Sequence, residues 1–445
     1  MAIASVAGFS YHGGVKMNPC SIRLAPLAGV VVALFINLAP GLAAEPFPEF
    51  SALPAQSALP DPLQRVSGEK VTTKKQWFEQ RRPELQALFQ HYMYGAIPPV
   101  PASVQFLIGR VDPNYFGGKA TKKEVTISFG NPSFAPLSLL VVTPNGRPAR
   151  APVFLAMNFC GNHALVNDPV LPLSTAWVYD SCKGCTNHRA TEASRGAEAQ
   201  NWPLQTLIER GYGFATFYSG DVVPDRPEAI FEARAQLDPP KAGRTNDFGA
   251  IAAWAWGFHR CVDYLVRDPD VNPQRIIAVG HSRNGKTALL AAAFDERMAA
   301  VIPVQAGCGG TSPNRGKIGE SVKRINTAFP HWFNAQFKTF NEQPDRLPFD
   351  QHCLIALCAP RPVLLANAVE DQWANPSGQF EMLQAAQSVY GLTGGGKLKA
   401  KAMPAVSQLS DGGLGYYIRP GKHSMTADDW RVFLRYADAQ FGQPK

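Results

Sequence analysis

Charge is scarce in this chain. Only 18% of its 445 residues are Asp, Glu, Lys or Arg. No dense Lys/Arg run gathers the formal net charge of +8 into a patch, so the electrostatic footprint of a nucleic-acid binder is missing. Cysteine is scarce too, and eight in a chain of this length cannot form a disulfide scaffold. None of the nine histidines stands in an H-E-x-x-H spacing, which argues against zinc-assisted hydrolysis. One stretch is apolar enough to concern a membrane, and no second one follows it. What is abundant is hydrophobic residues, at 45%, with 38 glycines and 38 prolines. That composition builds a large core with many loops and excludes a disordered chain.

The apolar stretch is Ala25 to Ala39, preceded by Arg23 and followed by Gly41, Ala43 and Ala44. A basic start, a short apolar run and a small-residue exit describe a secretory signal peptide. The run falls short of the about 20 residues that a span needs; an uncleaved anchor is the alternative. We expect residues 1–44 to be removed in a bacterium. Residues 45–445 then form one catalytic domain with an extended lead-in over 45–75, periplasmic or secreted, off the membrane and monomeric. Export permits disulfides. With Cys20 in the signal, an odd number of cysteines remains, so at least one thiol is unpaired within the monomer. Cys182 and Cys185 have a C-x-x-C spacing. Without a second such pair or a βαβ start, it points to a local loop disulfide rather than metal or redox chemistry.

Hydrophobic periodicity predicts helices over 77–94, 203–210, 247–267, 287–294 and 426–441, and strands over 123–129, 138–143, 153–157, 213–218, 275–279, 300–304 and 363–366. Alternating strands and helices imply an α/β fold: a mostly parallel central sheet with helices on both faces, a three-layer sandwich.

The densest chemistry lies in Ile276–Thr287, a strand running into Gly280-His281-Ser282-Arg283-Asn284-Gly285-Lys286-Thr287. Two mechanisms compete for it. G-x-x-x-x-G-K-T is satisfied outright, and as a phosphate loop it would cradle phosphates with Lys286 on the terminal ones and Thr287 on magnesium. As a nucleophile elbow, Ser282 would stand on a sharp strand-to-helix turn with an oxyanion site at the helix N-terminus. Asn284 replaces the usual glycine of G-x-S-x-G, so that motif is matched imperfectly. The elbow is preferred. An exported protein rarely meets nucleoside triphosphates, several strands precede the turn as in an α/β-hydrolase, and the order Ser…acid…His continues downstream. Glu370 and Asp371 follow the strand 363–366. His423 sits in a Gly/Pro-rich loop before the last helix. In this reading His423 is the base, a late-strand carboxylate orients it, and Arg283 adds charge beside the oxyanion. His281 abuts the serine, while His163, His188, His331 and His352 lie in loops from which they could line a pocket.

These residues resemble the glucuronoyl esterases, carbohydrate esterase family fifteen. The resemblance runs through Trp254-Ala255-Trp256-Gly257, the elbow itself, Gly307-Cys308-Gly309-Gly310, Gly319-Glu320-Ser321, Phe329-Pro330-His331-Trp332-Phe333, Leu347-Pro348-Phe349-Asp350-Gln351-His352, Ala359-Pro360-Arg361-Pro362 and Glu370-Asp371-Gln372-Trp373. It covers roughly residue 75 to the C-terminus. It implies an α/β-hydrolase without a cofactor, acting on esters of 4-O-methyl-glucuronic acid in glucuronoxylan and lignin–carbohydrate complexes. It implies Ser282 as nucleophile, His423 as base and Arg283 as oxyanion partner, with Lys286, Glu320 and Trp373 on the sugar; we add His331 to the substrate-binding set. One departure stands out. Many members carry a glutamate where this chain has Gln305, and glutamine cannot balance an imidazolium. The acid then falls on the late strand, and the G-x-x-D-like spacing from Ala368 favours Asp371 over Glu370. Two rival readings remain: another carbohydrate esterase such as an acetyl xylan esterase, and a non-catalytic glycan-binding protein on the same fold, which the loss of the glutamate motivates.

Overall fold

Parity along the strands decides the architecture. Every residue of β4 (Ala151–Asn158) and β5 (Gly213–Tyr218) is buried, yet neighbours belong to different cores. Val153, Leu155 and Met157 join one apolar cluster, while Phe154 and Ala156 join the other. A strand buried on both faces requires cover on both faces. Helices Ala250–Leu265, Arg283–Phe294 and Pro376–Thr393 contribute to the first cluster, and Leu204–Glu209 and Ala427–Phe441 to the second. The result is an α/β-hydrolase sandwich of three layers. These observations come from a computed structural model that describes residues 47–316 and 318–444. The proposed signal peptide lies outside them.

The other strands are β1 (Gln105–Tyr115), β2 (Ala120–Ser128), β3 (Leu137–Pro144), β6 (Val271–His281), β7 (Met298–Val304), β8 (Val363–Ala368), β9 (Ser410–Asp411) and β10 (Leu414–Arg419). All ten form one sheet in the order β1-β2-β3-β5-β4-β6-β7-β8-β10-β9. The run from β5 to β10 is parallel, flanked by the antiparallel β1-β2-β3 on one edge and by β9 on the other. Parallel strands deliver their carboxyl ends to the same edge, and ligands of open α/β sheets bind there. At that edge the chain leaves β4 toward Cys160, β6 toward Ser282, β7 toward Gln305, β8 toward Asp371 and β10 toward His423.

Two sequence expectations need amendment. β1, β9 and β10 were not foreseen. The helix expected over 287–294 begins four residues earlier, at Arg283, so no linker separates the serine from the helix. Residues 77–94 are helical as expected, with wider π turns at Trp77–Arg81 and Gln90–Tyr94 around Arg82–Phe89, and they stop at Gly95. Residues 47–73 are largely irregular and are tied down by backbone carbonyls. Pro48 O accepts from Tyr92 Oη, Leu53 O from Arg346 Nη1 and Pro60 O from His352 Nε2.

Candidate active site

Ser282 has φ +59° and ψ −127°, a conformation that costs an L-residue strain and persists only where its surroundings impose it. Here the turn does so from both sides. Ser282 N–H donates to Val304 O at 2.8 Å, and its carbonyl accepts from the N–H groups of Gly285 and Lys286 at 2.9 and 3.1 Å. The turn is tight enough that a Cβ on Gly280 would lie 2.0 Å from the carbonyl oxygen of Asn284. Asn284 is fully buried, and its Nδ2 donates to Met157 O at 2.9 Å. The position where the motif departs is thus filled by a side chain that pins the helix start to β4. The phosphate-loop reading fails on the same geometry. The N–H groups of Gly285 and Lys286 close the first helical turn on Ser282 O, Lys286 Nζ donates to Ala306 O and Cys308 O at 2.6 and 2.7 Å, and Thr287 Oγ1 donates to Arg283 O.

Ser282, Arg283 and His423 line one cleft of about 560 Å³, together with Phe159, Tyr179 and Trp202. Behind His423 stands Asp371, with Nδ1 and Oδ2 2.6 Å apart. The imidazole is 42% exposed and the carboxylate 2%, so the ring faces the cleft from a buried anchor. Glu370 does not share this place. It is exposed, and its N–H donates to Gly421 O at 3.0 Å. The histidine loop wraps around Arg419, whose guanidinium donates to Ser424 O and Oγ and pairs with the buried Asp429.

Gln305 has φ +49°. Its Oε1 accepts from Ser424 N–H at 2.8 Å and faces His281 Nε2 at 3.1 Å. It therefore holds the histidine loop by its backbone, one residue past His423. His281 packs its ring 4.5 Å from that of His423. Burial, with the neighbouring His423, pushes its pKa down to about 3; the ring is neutral and donates to Gln305.

Arg283 forms the other wall. Its Nε lies 2.5 Å from Asp225 Oδ2, and its guanidinium carbon sits 4.6 Å from the Phe159 ring centre and 5.3 Å from that of Tyr179. His331, expected on the substrate, is buried, and its Nε2 meets Asp225 Oδ1 at 2.7 Å behind Arg283. His163 and His352 are buried elsewhere, on Ser194 Oγ and Pro60 O. Asp225 and Trp332, which complete this wall, carried no catalytic motif. The pair His331-Trp332 in the resemblance was the one available signal.

Lys286, Glu320 and Trp373 form a second group, linked by the charges of Lys286 and Glu320. Lys286 is buried, and a Cβ on Gly310 would come within 2.8 Å of its Cγ, so the glycine loop fits around its stem. Burial lowers its pKa, against the pull of Glu320. Burial likewise raises Glu320, opposed by Lys286 and by a hydrogen bond from Trp373. Glu320 N–H donates to Trp373 O at 3.0 Å, and the Trp373 ring is 49% exposed with Arg324 5.3 Å from its centre. The exposed aromatic face beside a carboxylate and an ammonium suits a hydroxylated ring.

The local C-x-x-C disulfide is overturned. Cys182 pairs with Cys160, whose Cα lies 5.8 Å away, and Cys185 is free and buried. Residues 182 and 185 are drawn into one turn by Cys185 N–H on Cys182 O, while the loop after β4 brings Cys160 within bridging reach. The bridge ties that loop to the segment bearing Tyr179.

A parallel-core sheet with a strained serine between β6 and its helix, and a histidine–carboxylate pair on later loops, defines an α/β-hydrolase. The family described as "Glucuronyl esterase, fungi" matches residues 242–394. A carbohydrate esterase from an unknown prokaryotic organism is 44% identical over 388 residues, covering 85% of this chain and 89% of the relative. A 4-O-methyl-glucuronoyl methylesterase of Schizophyllum commune is 29% identical over 347 residues, 76% of this chain and 74% of its own. Among solved structures, a promiscuous esterase from a marine bacterial metagenome superposes with TM-score 0.82 at 43% identity over 88% of this chain and 98% of its own. The glucuronoyl esterase of Solibacter usitatus gives 0.81 at 37% over 88% and 100%. The chain belongs to carbohydrate esterase family fifteen, the glucuronoyl esterases, and is a carboxylic ester hydrolase.

Proposed function

We propose that this enzyme cleaves esters of 4-O-methyl-D-glucuronic acid, those joining glucuronoxylan to lignin alcohols included, through an acyl-enzyme on Ser282. His423 takes the proton of Ser282 as its oxygen attacks the ester carbonyl, then returns it to the leaving alcohol; a water activated by the same imidazole releases the uronic acid. Asp371 holds the imidazole in the tautomer that presents Nε2 to the serine and balances the charge it acquires. The helix N-terminus and Arg283 stabilise the oxyanion. Lys286 and Glu320 hydrogen-bond the sugar hydroxyls, and Trp373 covers a pyranose face. The observation that carries this reading is the 2.6 Å contact of His423 and Asp371 on the cleft that Ser282 lines. It weighs against the glycan-binding alternative, because Asp371 supplies a carboxylate to His423 although position 305 is glutamine.

Secretion belongs to the same proposal. It rests on the apolar run over 25–39, and among the described residues no helix is long and apolar enough to cross a membrane. The test is hydrolysis of benzyl glucuronate beside acetylated xylan, by the wild type and by Ser282→Ala. Faster turnover of the uronate ester, lost in the variant, is the expected result. Preference for the acetyl ester would make the enzyme an acetyl xylan esterase instead.

A further inference from the structure

We infer that Asp225 is a positioning residue for the reaction: it fixes the guanidinium of Arg283 at the oxyanion. This rests on the proposed role of Arg283. An arginine reaches an oxyanion in time only if its fork is already aimed. Arg283 leaves the first position of the helix, next to the nucleophile, and its side chain remains 20% exposed to the cleft. Among the described residues, Asp225 is the carboxylate that pairs with it, and it does so at Nε, 2.5 Å away. A contact at Nε leaves both Nη groups for the substrate. Phe159, Tyr179 and Trp332 set the plane, with ring centres 4.6, 5.3 and 5.9 Å from the guanidinium carbon.

Asp225 is itself held through Oδ1 and its backbone, while Oδ2 accepts no hydrogen bond and only faces Arg283 Nε. Oδ1 accepts from His331 Nε2 and Trp332 Nε1, each at 2.7 Å, and its backbone carbonyl accepts from Tyr179 Oη at 2.7 Å. Burial alone would raise its carboxyl. The hydrogen bond from His331, the charge of Arg283 and the hydrogen bond from Trp332 outweigh it and keep the group below the usual carboxylate range. The carboxylate also weakens the net charge of Arg283, so two effects oppose each other. Removing it would free charge but release the fork. Placement wins, because a misplacement of about 1 Å at a reacting centre can cost about a hundredfold.

The experiment is a double-mutant cycle on glucuronate ester hydrolysis. Asp225→Asn is expected to lower kcat by about tenfold to a hundredfold while KM stays within about twofold. In an Arg283→Ala background the same substitution is expected to change kcat by less than about twofold, because nothing remains to be positioned. Equal losses in both backgrounds, or a loss confined to KM, would overturn the inference. If Arg283→Ala alone leaves kcat intact, the oxyanion assignment itself falls and takes this inference with it. Should Asp225→Asn fail to fold, Trp332→Phe removes one donor from Oδ1 and is read in the same cycle. A loss of kcat that disappears in the Arg283→Ala background supports positioning, and a loss that persists refutes it.

Discussion

Arg283 and Lys286 leave the same helix one turn apart and are held in opposite ways. Arg283 meets a carboxylate and three aromatic faces, in a wall closed by the Cys160–Cys182 bridge. Lys286 meets two backbone carbonyls and no carboxylate within ion-pair distance among the described residues; the fields of Glu320 and Asp371 reach it from farther off. The first arrangement fixes a direction and suits a charge that appears during the reaction. The second leaves the ammonium with one of its three donors uncommitted, which suits a ground-state hydroxyl. On the proposed roles, the Arg283 group serves the transition state and the Lys286 group the sugar.

Both proposed roles depend on Ser282 as nucleophile, so the largest effect is expected there. Ser282→Ala should reduce hydrolysis by about 10⁶-fold, as loss of a triad serine does elsewhere, with the circular dichroism spectrum unchanged. Next comes the acid. Asp371→Asn should lower kcat by about 10⁴-fold, and Glu370→Gln, exposed and off the histidine, should remain within about twofold. A dead Glu370→Gln beside an active Asp371→Asn would reverse the assignment. The contrast between the two cations is then tested directly. Arg283→Ala should cost about 10²–10³-fold in kcat, whereas Lys286→Met should raise KM about tenfold to a hundredfold with a smaller effect on kcat. A shared pattern would abolish the division of labour. The last test concerns the wall and is read in stability, with the smallest expected effect on activity. Cys160→Ser, or reduction, should lower unfolding stability by about 3 kcal/mol for a loop of this size. It should raise no KM for the sugar, because the Lys286 side is not tied to the bridge.

The sequence made most of the doubly buried strands legible, since continuous apolar runs such as Val153–Met157 and Ile276–Val279 have no other home. It failed at β1, an edge strand with Leu107, Ile108 and Val111 exposed and with Gly109 and Pro113 inside it, and at β10, whose Leu414–Arg419 run is short and opens after two glycines. At the site, the chemistry-bearing residues could be read but their supports could not. Asp371 was separable from Glu370 by spacing from the strand end, because one step along a turn swaps a buried side chain for an exposed one. Asp225 lies between prolines with no motif, and its partners Arg283, His331 and Trp332 stand at sequence distances that only the fold cancels. The same holds for Cys160 and Cys182. His331 is buried with Nε2 on Asp225 Oδ1, a partner that its place in a loop does not announce.

The left-handed backbone at Ser282 has a thermodynamic corollary. A φ of +59° is a conformation that glycine adopts freely and serine does not. Natural selection has therefore kept, at the centre of this enzyme, a residue that works against the durability of its own fold. Ser282→Gly should be inert yet melt at a higher temperature than the wild type, with a gain of about 1 kcal/mol. The dead enzyme would be the sturdier protein, and that excess measures what esterolysis costs the scaffold.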